Sequence, residues 1–112
     1  MQSSRRVLFT QEFKRNIKNL AKKYRSIRAD LTPYITQLEN GELPGDQIPG
    51  IEQHVYKVRV PNQSAGKGKR GGFRMIYYLK LKEEIILLSM YSKTIKTDIS
   101  IEEITQIIKN NS

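Results

Sequence analysis

The chain has 112 residues, with 20 Lys and Arg against 11 Asp and Glu, for a formal net charge of +9. There is no cysteine and one histidine, His54, which excludes a disulfide framework, Cys-ligated zinc and a His-rich metal centre. No apolar run approaches the roughly 20 residues that span a bilayer and no signal-peptide core opens the chain, so one cytoplasmic domain, residues 1–112, is expected, without cofactor or membrane contact.

Residues 3–9 pattern as a first strand. Thr10 is placed to cap a helix from Gln11 to Tyr24, with Phe13, Ile17, Leu20 and Tyr24 along one face. Lys14, Arg15, Lys18, Lys22 and Lys23 take its other sides. A second helical segment runs from Ser26 to Glu39 with Leu31, Ile35 and Leu38 at helical spacing. Pro33 inside it requires either a fresh start capped by Thr32 or a kink. Glu42 to Gly50, rich in Pro and Gly, reads as a loop.

Three strands are expected next, His54 to Val60, Phe73 to Leu81 and Ile85 to Lys93. Ser100 and Glu103 then form a capping box for a last helix with Ile101, Ile104, Ile107 and Ile108 inward. The order predicts an α+β fold: a small antiparallel-rich sheet of about four strands, two N-terminal helices and one C-terminal helix.

Charge is distributed unevenly. Between Gln53 and Lys82 there are eight Lys and Arg residues and no acid. Strand alternation places Tyr56, Val58 and Val60 on one side of their strand, and Val55, Lys57 and Arg59 on the other. It sets Phe73, Met75, Tyr77 and Leu79 against Arg74, Ile76 and Tyr78. It also sets Ile86, Leu88 and Met90 against Ile85, Leu87, Ser89, Tyr91 and Lys93. With the apolar sets toward the helices, Lys57, Arg59, Arg74, Tyr91 and Lys93 gather on the opposite face, a patch suited to a polyanion. A slip of one residue in register would invert a strand.

Residues 66–74, GKGKRGGFR, spell G-x-G-x-x-G, but a strand follows them, whereas a dinucleotide loop must open a helix. The reading taken instead is a pliable cationic arm, with Lys67, Lys69 and Arg70 as RNA-binding candidates and Phe73 as a base-stacking one. His54 stands at a strand entrance with no evident partner and is read as a surface residue.

The segments VYKVRV, GKGKRGGFRMIYY and LLSMYSK resemble the RelE/HigB-type toxins of bacterial toxin–antitoxin pairs. The resemblance implies a compact toxin fold and ribosome-dependent cleavage of messenger RNA, with ribosomal RNA contacts. It also implies a cognate antitoxin encoded by an adjacent gene. Lys57, Arg59 and Arg74 fall on strand positions that hold the scissile phosphate in such toxins. The family's basic residue after the last strand has Lys93 beside it, followed by Thr94, and no tyrosine follows Tyr91. Such a metal-independent endoribonuclease uses the neighbouring 2′-hydroxyl as nucleophile, and needs a base, an acid and cations around the phosphorane. Lys57 is the candidate base, because neighbouring arginines favour a neutral amine. Tyr91 or Lys93 is the candidate acid, and Arg59 and Arg74 only clamp charge. Two other readings remain open: a ParE-like toxin that poisons DNA gyrase, and an RNA-binding module without chemistry.

Overall fold

In a computed structural model, which describes residues 5–62, 72–81 and 83–111, the described elements run β1 (Arg6–Phe9), α1 (Gln11–Ala21), α2 (Ile27–Glu39), β2 (Asp46–Gln47), β3 (His54–Val60), β4 (Phe73–Leu81), β5 (Glu84–Ser92) and α3 (Ile101–Asn110). The strands form one sheet in the order β1-β5-β4-β3-β2. Among the described residues, only the β1–β5 pairing is parallel. The α+β class is as expected, with one strand more than the four anticipated. The addition is β2, in the stretch read as a loop. Asp46 and Gln47 pair with Lys57 and Tyr56, and Ile48 N–H bonds to Val55 O. Two paired residues between Gly45 and Pro49 are too few to leave a period in the sequence.

Both helix starts expected from the sequence form. Thr10 Oγ1 accepts from Phe13 N–H, and the reciprocal Ser100–Glu103 capping box is complete. α1 stops three residues short of Tyr24, because Lys22 to Tyr24 fold back on Asn19 and Leu20 in a closing turn. α2 continues through Pro33. Thr32 does not restart it, and its hydroxyl donates back to Arg28 O at 2.8 Å.

Helices cover the sheet on both faces. α1 and α2 pack on Val58, Val60, Phe73, Met75, Tyr77, Ile85, Leu87 and Met90. The other face carries Val55, Ile76, Tyr78, Ile86, Leu88 and Tyr91 under Ile104 and Ile108 of α3. The expectation that the helices all lie on one face, opposite the cationic groups, is therefore corrected, since α3 packs on the cationic side. β4 and β5 are nearly continuous apolar runs, and such strands are stable only when buried on both sides. Ile101, expected inward, is 41% exposed at the start of α3.

The expected alternation of β5 also fails, for a definite reason. The β4–β5 register passes from Ile76↔Ser89 to Tyr77↔Leu87, leaving Leu88 unpaired as a β-bulge. Ile85, Leu87 and Met90 therefore share the α1–α2 side, while Ile86, Leu88 and Tyr91 share the α3 side. α1 takes up the hydrogen-bonding groups at this irregularity. Thr10 Oγ1 lies 3.0 Å from Leu87 O and 3.2 Å from Leu88 O, and Asn16 Oδ1 accepts from Met90 N–H at 3.0 Å.

Gly45 has φ +92°, and a Cβ there would stand 2.4 Å from Lys57 O. Gly45→Ala is expected to destabilise the fold by roughly 1–3 kcal/mol through the strained backbone alone, with the contact adding to it. Urea unfolding of the two proteins measures the difference.

Candidate active site

Three residues stand side by side on adjacent strands. Arg59 pairs with Arg74 across β3–β4, and Arg74 pairs with Tyr91 across β4–β5. Directly opposed residues of an antiparallel ladder project to the same face. Lys57 lies two positions before Arg59 and so projects with it. The side facing these groups is the one on which α3 packs, with Tyr91 at the join between apolar patch and cationic row. Like charges set directly across a ladder are unfavourable. An anion held by both guanidiniums would relieve that cost, and the planar donors of arginine suit phosphate.

The connection between β5 and α3 supplies a group that strand alternation does not reveal. Asp98 Oδ1 accepts from Lys57 Nζ at 3.2 Å, from Tyr91 OH at 3.4 Å and from the N–H of Ile99 at 2.8 Å. The Ile99 N–H, and then Lys57, hold the Asp98 carboxyl below its ordinary range. Burial pushes the Tyr91 hydroxyl up to about 12, and the negative charge and hydrogen bond of Asp98 add to that rise. Arg74 acts in the opposite sense and Glu103 in the same sense as Asp98. Tyr91 is therefore a fully protonated donor at neutral pH.

Lys93 is tied to the same neighbourhood. Its N–H bonds to Gly72 O at 3.0 Å, and its Nζ donates to Thr97 O at 2.8 Å. Lys96 bonds Glu103 at 2.7 Å, and its Nζ lies 5.9 Å from the centre of the Tyr91 ring. Glu103 is depressed first by that lysine and then by the Ser100 N–H of the capping box. The β5–α3 connection is thus pinned at Lys93 and Lys96 around Asp98.

Phe73 is not available as a stacking platform. It is fully buried, with Tyr24 edge-on at 5.2 Å, because its place in the β4 alternation turns it to the α1–α2 core. Lys67, Lys69 and Arg70, with the rest of the glycine-rich motif, lie outside the described residues. His54 sits at the far end of β3 from Arg59, hydrogen-bonded to Gln47. Among the described residues, no three His, Cys, Asp or Glu side chains come together as a metal-binding group. Among the same residues, no helix is long and apolar enough to cross a membrane. Asp98 and Lys96 are the residues that sequence reasoning passed over. The only signal was an acid two positions before a capping box, which reads as turn chemistry.

Residues 5–111 match the family model described as the RelE toxin of the RelE/RelB toxin–antitoxin system. The chain belongs to the RelE toxin family. A solved structure of a mutant of the E. coli toxin RelE in the free state has the same fold, with a TM-score of 0.57 at 16% sequence identity. The match covers 96% of this chain and 97% of that one. RelE membership and the RelE fold are as the segments VYKVRV, GKGKRGGFRMIYY and LLSMYSK led one to expect.

The raised Tyr91 hydroxyl provides a test of the site's electrostatics. Asp98→Asn removes a charge that favours the protonated phenol and leaves only a neutral amide oxygen as acceptor, so Tyr91 is expected to titrate at lower pH. Arg74 remains to stabilise the phenolate, while Glu103 and burial still oppose ionisation. Tyrosine ring signals followed by NMR against pH report the shift. No downward movement would mean that the carboxylate has no hold on Tyr91.

Proposed function

We propose that the chain is a ribosome-dependent messenger RNA endoribonuclease whose action halts translation and which a cognate antitoxin silences. The observation that carries this reading is the Arg59–Arg74–Tyr91 row, with Lys57 beside it, on one face of the sheet. Family membership supports the toxin role and an antitoxin partner encoded by an adjacent gene. The proposed setting is the cytoplasm, with residues 1–112 acting as one domain.

In the proposed reaction, the 2′-oxygen of the message attacks the adjacent phosphorus as the bond to the 5′-oxygen breaks, giving a 2′,3′-cyclic phosphate and a free 5′-hydroxyl. Arg59 and Arg74 hold the charge that builds on the phosphorane. Tyr91 gives its proton to the leaving 5′-oxygen. Lys57, released from Asp98, gives its ammonium proton to water and, as the neutral amine, takes the proton of the 2′-hydroxyl. Lys93 orders the connection through Thr97 O, which leaves Tyr91 as the acid. Exchange of protons with solvent restores both groups. The step uses protein side chains alone and is metal-independent. An acidic segment of the antitoxin would find the cationic row attractive and cover it.

Brief induction followed by primer extension on cellular messages tests the reading. Cuts at a fixed position within codons, dependent on translation, are expected. Arg74→Ala and Arg59→Ala are each expected to lower cleavage about a hundredfold, the order associated with removing one donor to a developing oxyanion. Circular dichroism verifies that the variants fold. Intact messages accompanied by DNA supercoiling damage would replace this reading with gyrase poisoning. Binding of purified chain to RNA should weaken steeply as salt rises.

A further inference from the structure

Among the described residues, Asp98 makes three contacts through a single oxygen. Oδ1 accepts from the Ile99 N–H, from Lys57 Nζ and from Tyr91 OH. Lys57 and Tyr91 are the two groups assigned above to proton transfer at the scissile phosphate. In the free protein, a carboxylate oxyanion thus occupies a place between them. Its contacts to those two groups, at 3.2 and 3.4 Å, are long for hydrogen bonds to charged partners. The Asp98 side chain is 66% exposed, so water stands ready to take it up. The residue belongs to no helix or strand, yet the chain on either side is fixed, by Lys93 to Thr97 O and by Lys96 to Glu103. A turn of the Asp98 side chain therefore empties the place without moving β5 or α3.

We infer that Asp98 is an internal stand-in for the RNA phosphate, keeping Lys57 and Tyr91 ordered in the free toxin and yielding both to a phosphate oxygen of the bound strand. This inference rests on the site reading above. It makes Asp98 a positioning residue that competes with the substrate. Occupancy by Asp98 holds the cationic cradle in shape before any RNA arrives, and its exposure keeps the exchange cheap.

The test uses the purified full chain and a short 2′-O-methyl RNA, which offers phosphates but no attacking hydroxyl. Asp98→Asn is expected to tighten binding about fivefold, the scale of an exposed ion pair. Glu102→Gln makes the same change of net charge in the first turn of α3, at a side chain that bonds neither Lys57 nor Tyr91, and should gain much less. In a Lys57→Ala background, the gain from Asp98→Asn should fall to that of Glu102→Gln. Equal gains from Asp98→Asn and Glu102→Gln in the unmodified background would reduce the effect to net charge and overturn the inference. Weaker binding by Asp98→Asn would overturn it too.

A second measurement needs no variant. Inorganic phosphate added to the unmodified chain should shift the Tyr91 ring and Lys57 Nζ resonances together, and unmoved resonances at high phosphate would count against exchange. The two proposals fail separately. A chain that cuts no message, yet shows the Lys57-dependent gain, loses the nuclease reading and keeps the exchange. A chain that cuts messages without that gain loses the exchange alone.

Discussion

The arrangement of the site depends on how α1 receives the bulge in β5. With Leu88 out of register, Tyr91 turns to the face that carries Arg59 and Arg74, while Ile85 and Leu87 stay in the opposite core. In an unbroken strand Tyr91 would share a face with Ile85 and Leu87, on the α1–α2 side. A bulge leaves backbone groups without their ladder partners, and burying such groups unbonded is costly. Thr10 and Asn16 meet that need from a neighbouring helix. Thr10 does so while capping α1, so one side chain starts a helix and anchors it to the irregular strand.

Around the row, the protein balances attraction for an anion against its own cohesion. Two opposed arginines and a nearby lysine form a surface that a phosphate would stabilise. Acidic groups from the β5–α3 connection and from α3 temper it. Asp98 engages Lys57 and Tyr91, and Glu103 engages Lys96, whose ammonium lies near the Tyr91 ring. The two ion pairs, Lys57–Asp98 and Lys96–Glu103, are substantially exposed, so each contributes little to stability and can be exchanged. Rigidity comes from elsewhere, from the two apolar clusters that fix β3, β4 and β5 on both faces.

Much of the fold was legible because its signals are local. Thr10, Ser100 and Glu103 mark helix starts through side-chain chemistry that needs no tertiary context. The alternation of β3 and β4 placed Lys57, Arg59 and Arg74 on one face. β5 was not legible in this way, since a run of Ile, Leu and Met gives no sign of which residue bulges. The expected face for Tyr91 was met only relative to Met90, its immediate neighbour beyond the bulge, while Ile85 and Leu87 were assigned to the wrong side. Phe73 was misread because an aromatic beside a cationic loop suggests stacking, whereas its position opposite Ser92 turns it inward. Asp98 was hidden because its partners are 41 and 7 residues away and are brought to it only by folding.

The parallel pairing of β1 with β5 has a consequence for synthesis. Arg6 stands opposite Glu84, a separation of 78 residues, and Thr10 reaches Leu87 just beyond that pairing. Contacts so distant along the chain form late, since a long loop must close before they repay its entropy. A nascent chain that has not yet released β5 has neither the bulge nor the strand that carries Tyr91. The face that Arg59 and Arg74 share with Tyr91 therefore comes together only once β3, β4 and β5 have all been made.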